Sequence, residues 1–117
     1  MSPYKVFTHQ HEEEIRSVLA FKNLDFVAVR APMSRGILVT GFAELSHKVT
    51  ESTYYDYYKD SPFIRIVETA EVENVVGSNF CDISIKIRDN TLFVAAALDN
   101  LIKGMAGTAI QNMNLMF

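Results

Sequence analysis

Cysteine is nearly absent: Cys81 is the only one in 117 residues, and there is no tryptophan. A single thiol excludes an internal disulfide and a cysteine-rich zinc site. Beside five methionines, it fits a reducing, cytoplasmic setting. Three prolines and five glycines are too few for a collagen-like fibre or a low-complexity chain. Long apolar runs are also lacking. The longest, Leu92–Leu98, has seven residues, the length of a buried strand, whereas a bilayer span needs about 18–20. The start, Met1–Lys5, has neither the positive nor the apolar region of a signal peptide. Positive charge is short too. With 11 Lys and Arg against 14 Asp and Glu, the net charge is −3, a poor basis for binding nucleic acid through its phosphates. What remains is 49% hydrophobic and 21% charged, the balance of a globular chain, and the length suits one domain rather than two.

Periodicity divides the chain into elements. Residues Tyr4–His9 are β-prone. Glu12, Glu13 and Glu14 open a helical pattern continued by Ile15, Val18, Leu19 and Lys22 on one face, and Asn23 can end it. Leu24–Arg30 reads as a strand, Ala31–Gly36 as a loop, and Ile37–Leu45 as a longer strand in which Gly41 can mark a bulge. Thr50–Lys59 reads as a helix with Thr50 as N-cap, stopped by Asp60-Ser-Pro62. Phe63–Val67 is a short strand, and Glu68–Val76 a polar link. From Asn79 to Arg88 the chain alternates, with Cys81, Ile83, Ile85 and Ile87 on one face and Asp82, Ser84, Lys86 and Arg88 on the other. Asp89-Asn90 is a two-residue turn into Thr91–Leu98, apolar on both faces. Asp99–Phe117 reads as one helix whose small residues Gly104, Ala106, Gly107 and Ala109 imply a close approach to its backbone. The order β-α-β-β-α-β-β-β-α predicts an α+β fold: a largely antiparallel, mixed sheet with helices packed on one face.

Several residues are suited to chemistry. His9 and His11, in a strand, share a face. They can act as acid and base near neutral pH, with the neighbouring glutamates favouring a protonated ring, or they can be two surface histidines. No third ligand accompanies them, so a metal is the weaker option. Cys81 fits a core cysteine better than a nucleophile. Arg35, in Ser34-Arg-Gly36, can fork onto a carboxylate or phosphate, or stand as a solvated loop charge. Lys103-Gly-Met-Ala-Gly107 matches neither a P-loop nor a dinucleotide fingerprint. Tyr54, Tyr55, Tyr57 and Tyr58 fit a core or interface face better than a base-stacking platform.

Longer motifs carry more. Gly77-Ser-Asn-Phe-Cys-Asp-Ile83 and Ala97-Leu-Asp-Asn-Leu-Ile-Lys-Gly-Met-Ala-Gly-Thr-Ala-Ile-Gln-Asn-Met-Asn114 resemble the GSN-x-x-DI stretch and DNL-x-KG-x-AG-x-A-x-QNMN helix of the N-acetyl-γ-glutamyl-phosphate reductase family. In the same order, His9-Gln-His11-x-x-Glu14-Ile15, Pro32-Met-Ser-Arg-Gly-Ile37 and Tyr58-Lys-Asp-Ser-Pro-Phe63 are similar to further family segments. The resemblance covers nearly all of residues 4–117.

It implies the C-terminal catalytic and dimerisation domain of a semialdehyde dehydrogenase, with a fold like the C-terminal domain of glyceraldehyde-3-phosphate dehydrogenase. It further implies an NADP-dependent reduction of a small-molecule acyl phosphate to a semialdehyde in arginine biosynthesis. A cysteine forms a thioester, a hydride reduces it, and a histidine handles protons. Residues 1–117 form a single domain in this reading. They lack the dinucleotide-binding domain, the nucleophilic cysteine (Cys81 does not match its motif) and the final C-terminal helix, so the chain alone is expected to be inactive.

The resemblance makes His11 the acid/base and His9 a substrate or thioester contact. Arg35, with Ser34, holds the substrate's anionic end. Lys103, Gly104, Gly107 and Asn112 line the nicotinamide side of the cleft. Here Glu12-Glu13 replace the family's frequent Thr-Pro, and Met105 replaces an alanine. A related branch that reduces a carrier-bound aminoadipyl or glutamyl phosphate has nearly the same motifs, and a non-catalytic dimeric module of this fold is the other alternative. Apolar surface on Leu92–Leu98 and the tyrosine helix points to a homo-oligomer, a dimer or tetramer. Neither a membrane nor nucleic acid is an expected partner.

Overall fold

The computed structural model describes residues Met1–Phe117. They form two compact units, Met1–Ser34 and Arg35–Phe117.

In the first unit, β1 (Ser2–Tyr4) pairs antiparallel with β2 (Ala28–Arg30), with Ser2 opposite Arg30 and Tyr4 opposite Ala28. The Arg30 guanidinium lies 4.5 Å over the Tyr4 ring. Helix α1 (Gln10–Leu19) joins them. The expected strand 4–9 stops at Tyr4 because the chain turns: Lys5 and Phe7 both have positive φ, 48° and 59°. Helix α1 starts and ends earlier than its apolar spacing indicated, and Ala20 in the left-handed region ends it, not Asn23. The expected strand 24–30 shrinks to three residues because side chains take its backbone groups. Arg16 donates to the carbonyls of Lys22 and Leu24, and Glu12 accepts from the Phe26 N–H at 3.3 Å.

The second unit is built on a four-stranded sheet in the order β3-β6-β5-β4. The hairpin β5 (Cys81–Arg88) and β6 (Thr91–Leu98) runs in unbroken register from Cys81–Leu98 to Arg88–Thr91. Its two-residue turn has no glycine, and Asp89 takes the positive φ (56°) instead. Strand β3 (Ile37–Glu44) pairs with the other side of β6, Ile37 opposite Leu98. Gly41 sits in register with Val94, so the expected bulge is absent. Strand β4 (Ile64–Ile66) runs parallel to β5, which makes the sheet mixed. Helix α2 (Glu51–Tyr58) follows Thr50, whose hydroxyl bonds to Ser52 Oγ and leaves the helix uncapped.

Burial corrects two readings. Asp82 and Ser84, placed on the solvent face by alternation, are buried. The parallel register sets Arg65 opposite Asp82, and the two form a two-point ion pair at 2.6 and 2.9 Å; Ser84 Oγ donates to the Glu68 carbonyl at 2.8 Å. The apolar strand Leu92–Leu98 is not the free surface: it is interior to the sheet. Edge strand β3 is exposed at all eight positions, with Phe42 at 77%. The core is small, with Ala70, Val75, Ala95 and Ala97 packed by Val67, Val72, Phe80 and Phe93.

The last expected helix is two structures. A π-helical turn, Ile102–Ala106, leads into α3 (Gly107–Met116). Gly104, Ala106 and Gly107 each donate five residues back, to the Asp99, Leu101 and Ile102 carbonyls. Such turns add one residue to a helical repeat and cluster at functional sites.

Candidate functional site

The histidine pair belongs to the first unit. His9 is not in a strand. It is the N-cap of α1, with φ −80° and ψ 128°, and its Nδ1 accepts the His11 N–H at 3.3 Å. The two rings therefore meet through a helix start rather than across a strand face, 4.6 Å apart between centroids. Tyr4 and Phe26 enclose the His9 ring at 5.4 and 5.2 Å. With Nδ1 taken as the cap acceptor, Nε2 is the ring atom left for other partners. His11 is half-exposed, and its Nε2 lies 3.8 Å from Glu14 Oε2. Of the three acids, Glu14 is the one at ion-pair distance from the ring; Glu12 is taken by Arg16 at 2.9 Å. The arrangement provides one fixed imidazole and one accessible imidazole beside a carboxylate, which suits proton transfer.

Ser34 is exposed on the loop before β3. Arg35 does not stand free: its terminal nitrogen bonds both oxygens of Asp99, at 2.9 and 2.8 Å. Asp99 is fully buried, and sequence reasoning did not single it out. It also accepts the N–H groups of Gly77, Leu101 and Ile102, at 2.7, 2.9 and 3.1 Å. Burial by itself raises the Asp99 carboxyl, but these hydrogen bonds outweigh it and hold the group well below the usual carboxylate range. The next residue, Asn100, accepts the Gly36 N–H at 2.6 Å. Asp99-Asn100 thus clasps the Arg35-Gly36 corner, the Gly77 loop and the start of the π-turn. The available signal was an Asp directly before a helix, the usual N-cap pattern.

Lys103 and Gly107 line a pocket of about 600 Å³, with Phe63, Asn79, Ile110 and Gln111 among its walls. Lys103 Nζ donates to Gln111 Oε1 at 2.9 Å and lies 5.4 Å from the Phe63 ring centroid. Asn79 Nδ2 donates to the same oxygen at 3.3 Å. The close approach implied by the small residues is found at Gly107, and it comes from this chain: a Cβ there would overlap Asn79 Oδ1 and meet Ile102 Cγ2 at 2.9 Å. Gly104 has no such neighbour, its nearest being Leu98 Cδ1 at 3.6 Å. Gly104 and Asn112 are exposed and lie outside the pocket lining. Cys81 is buried, and burial pushes its thiol up against an opposing pull from Lys103, as suits a core cysteine.

Two kinds of likeness bear on this geometry. The family model of the semialdehyde dehydrogenase dimerisation domain matches residues 1–100. Proteins named N-acetyl-gamma-glutamyl-phosphate reductase are similar along the chain. The one from Staphylococcus epidermidis is 43% identical over 97% of this chain and 37% of its own length. Its counterpart from Lachnospira eligens is 43% identical over 100% and 38%, and that from Archaeoglobus fulgidus 41% over 97% and 37%. The chain thus spans under two-fifths of the length of these relatives, and over that span it belongs to the semialdehyde dehydrogenase dimerisation-domain family.

Proposed function

We propose that this chain is the dimerisation and proton-transfer region of an NADP-dependent reductase that converts N-acetyl-γ-glutamyl phosphate to its semialdehyde. The observation that carries the reading is the 43% identity, along 97% of the chain, to a protein bearing that reductase's name. The exposed apolar edge strand β3 supports self-association into a homo-oligomer.

The face of Gly107 is filled by Asn79, so of these two glycines only Gly104, with no neighbour closer than 3.6 Å, leaves its backbone open to a cofactor. The cofactor, which supplies a hydride when bound, is held in this reading mainly by the part of the reductase outside this chain. The nucleophilic cysteine belongs to that part too. What residues 1–117 contribute is His11, which takes and returns a proton at Nε2, and His9, which caps the helix start that aims it and contacts the substrate or thioester.

The test uses the longer reductase containing this region. His11→Asn should lower kcat by about 10²–10⁴-fold with little change in KM, since general acid–base catalysis is worth that much and acts in the transition state. His9→Asn keeps a good N-cap, so the fold survives; its kcat should fall less and its KM rise more. Activity unchanged in both variants rejects the reading. Turnover of carrier-bound aminoadipyl phosphate in place of the acetylated substrate would move the chain to the neighbouring branch.

A further inference from the structure

We propose that the pocket beside α3 is a carboxylate subsite centred on Lys103. The chain's ion pairs use His11, Arg16, Arg35, Arg65 and Lys86. Lys103 is in none of them, although Asp60 shares its pocket. Its ammonium is held instead by a neutral amide oxygen and an aromatic face. Gln111 Oε1 takes one of its three N–H donors, which leaves two for the oxygens of an anion. Around it stand Pro62, Phe63, Ile64, Ile110 and Leu115. A cation unneutralised among such walls gains from an anion far more than a solvated lysine does.

The π-turn places the ammonium there. Lys103 and Gln111 are eight positions apart, and in an unbroken α-helix they would point about 80° apart at 3.6 residues per turn. One extra residue in the repeat brings the pair back to within about 20° of a common face, where both line the pocket.

The composition favours a carboxylate over a phosphate. There is one cation and no arginine fork. The Gly107 N–H that would open α3 to an anion already bonds the Ile102 carbonyl. The apolar walls suit the carbon chain behind a carboxylate. In the reductase reading, on which this one clause rests, the group is the substrate's own free carboxylate, which Arg35 cannot fully meet while tied to Asp99.

The experiment titrates the 117-residue chain with N-acetylglutamate, and separately with inorganic phosphate at matched ionic strength, following side-chain amide NMR signals. The Asn79 and Gln111 amides should move saturably with N-acetylglutamate at about millimolar concentration, as expected of a small ligand with few anchoring contacts. Lys103→Gln should raise the midpoint at least about tenfold, whereas Lys86→Gln should not. Gln111→Glu keeps the lysine but neutralises it internally, so it should abolish the shift even if Lys103→Gln unfolds the chain. No saturable shift, or phosphate acting at an equal or lower midpoint, overturns the proposal. Reductase activity of the longer protein is assayed separately. Activity without the shift removes the subsite alone; the shift without activity removes the reductase reading and leaves the subsite standing.

Discussion

Gly36 joins the clasped corner to β3, and its replacement by alanine separates two energies in one position. The backbone there has φ +107°, a region that L-residues rarely adopt. An added Cβ would also overlap Val72 Cγ1, with Val72 Cβ at 3.6 Å and the Leu98 carbonyl oxygen at 3.8 Å. Val72 packs against the core, so it cannot simply swing away. The backbone strain costs about 1–3 kcal/mol and the overpacking about 1–3 kcal/mol. Alanine recovers about 0.4–1 kcal/mol by stiffening the unfolded chain. Gly36→Ala should therefore lose about 1–6 kcal/mol, a drop in Tm of roughly 4–24 °C for a chain of this size. Urea denaturation followed by circular dichroism reads the loss. Val72→Ala removes the clashing methyl but not the strain, so Gly36→Ala in that background should cost about 1–3 kcal/mol less. If Gly36→Ala is within about 0.5 kcal/mol of the parent, or if the two substitutions are simply additive, the reasoning fails.

The two glycines of the last segment should respond in opposite directions. Gly104→Ala meets only ordinary contacts, none closer than 3.6 Å, and gains helix propensity, raising stability by up to about 1 kcal/mol, whereas Gly107→Ala meets Asn79 and Ile102 and should lower the thermal midpoint; equal shifts in melting scans would contradict the packing. Asp99 should govern part of the acid response. Its carboxyl is depressed below the ordinary 3.8, so its contribution is complete above that pH and is lost as pH falls below it. Asp99→Asn should therefore melt well below the parent at neutral pH, with the gap in Tm narrowing as pH falls below about 4; a gap independent of pH would show that the carboxylate charge is not what holds the corner.

The order of elements was legible because period-2 and period-3.6 patterns survive in most segments, and the Asp89-Asn90 hairpin and the Glu51–Tyr58 helix stand where those patterns put them. What was not legible came from side chains acting on backbone. His9 is an unusual cap, and capping moved the histidine pair from a strand to a helix start. Arg16 and Glu12 consumed the backbone groups that a strand at Leu24–Val27 needs. Asp82 reads as a surface residue until the parallel partner strand brings Arg65 across from it. The π-turn leaves no periodic trace, because a single added residue shifts a pattern without breaking it.

The motifs that carried the resemblance also change meaning once folded. In sequence, the Gly77-Ser-Asn79 segment and the Asp99–Asn114 segment stand about twenty residues apart and look like separate marks. In the structure they form one device. Gly77 donates its N–H to Asp99, and the Asn79 side chain lies against Gly107 and bonds Gln111. Asp99 in turn holds Arg35 and the first N–H groups of the π-turn, which rotates Lys103 onto the face of Gln111. Gly107 lacks a side chain because Asn79 occupies that space, and Asp99 is an acid because four groups from three segments donate to it. Gly77, Asn79, Asp99, Gly107 and Gln111 are thus each explained by a contact with the other motif or with the Arg35 corner, and a change at Asn79 should be felt at Lys103 although the two side chains meet only through the single oxygen of Gln111.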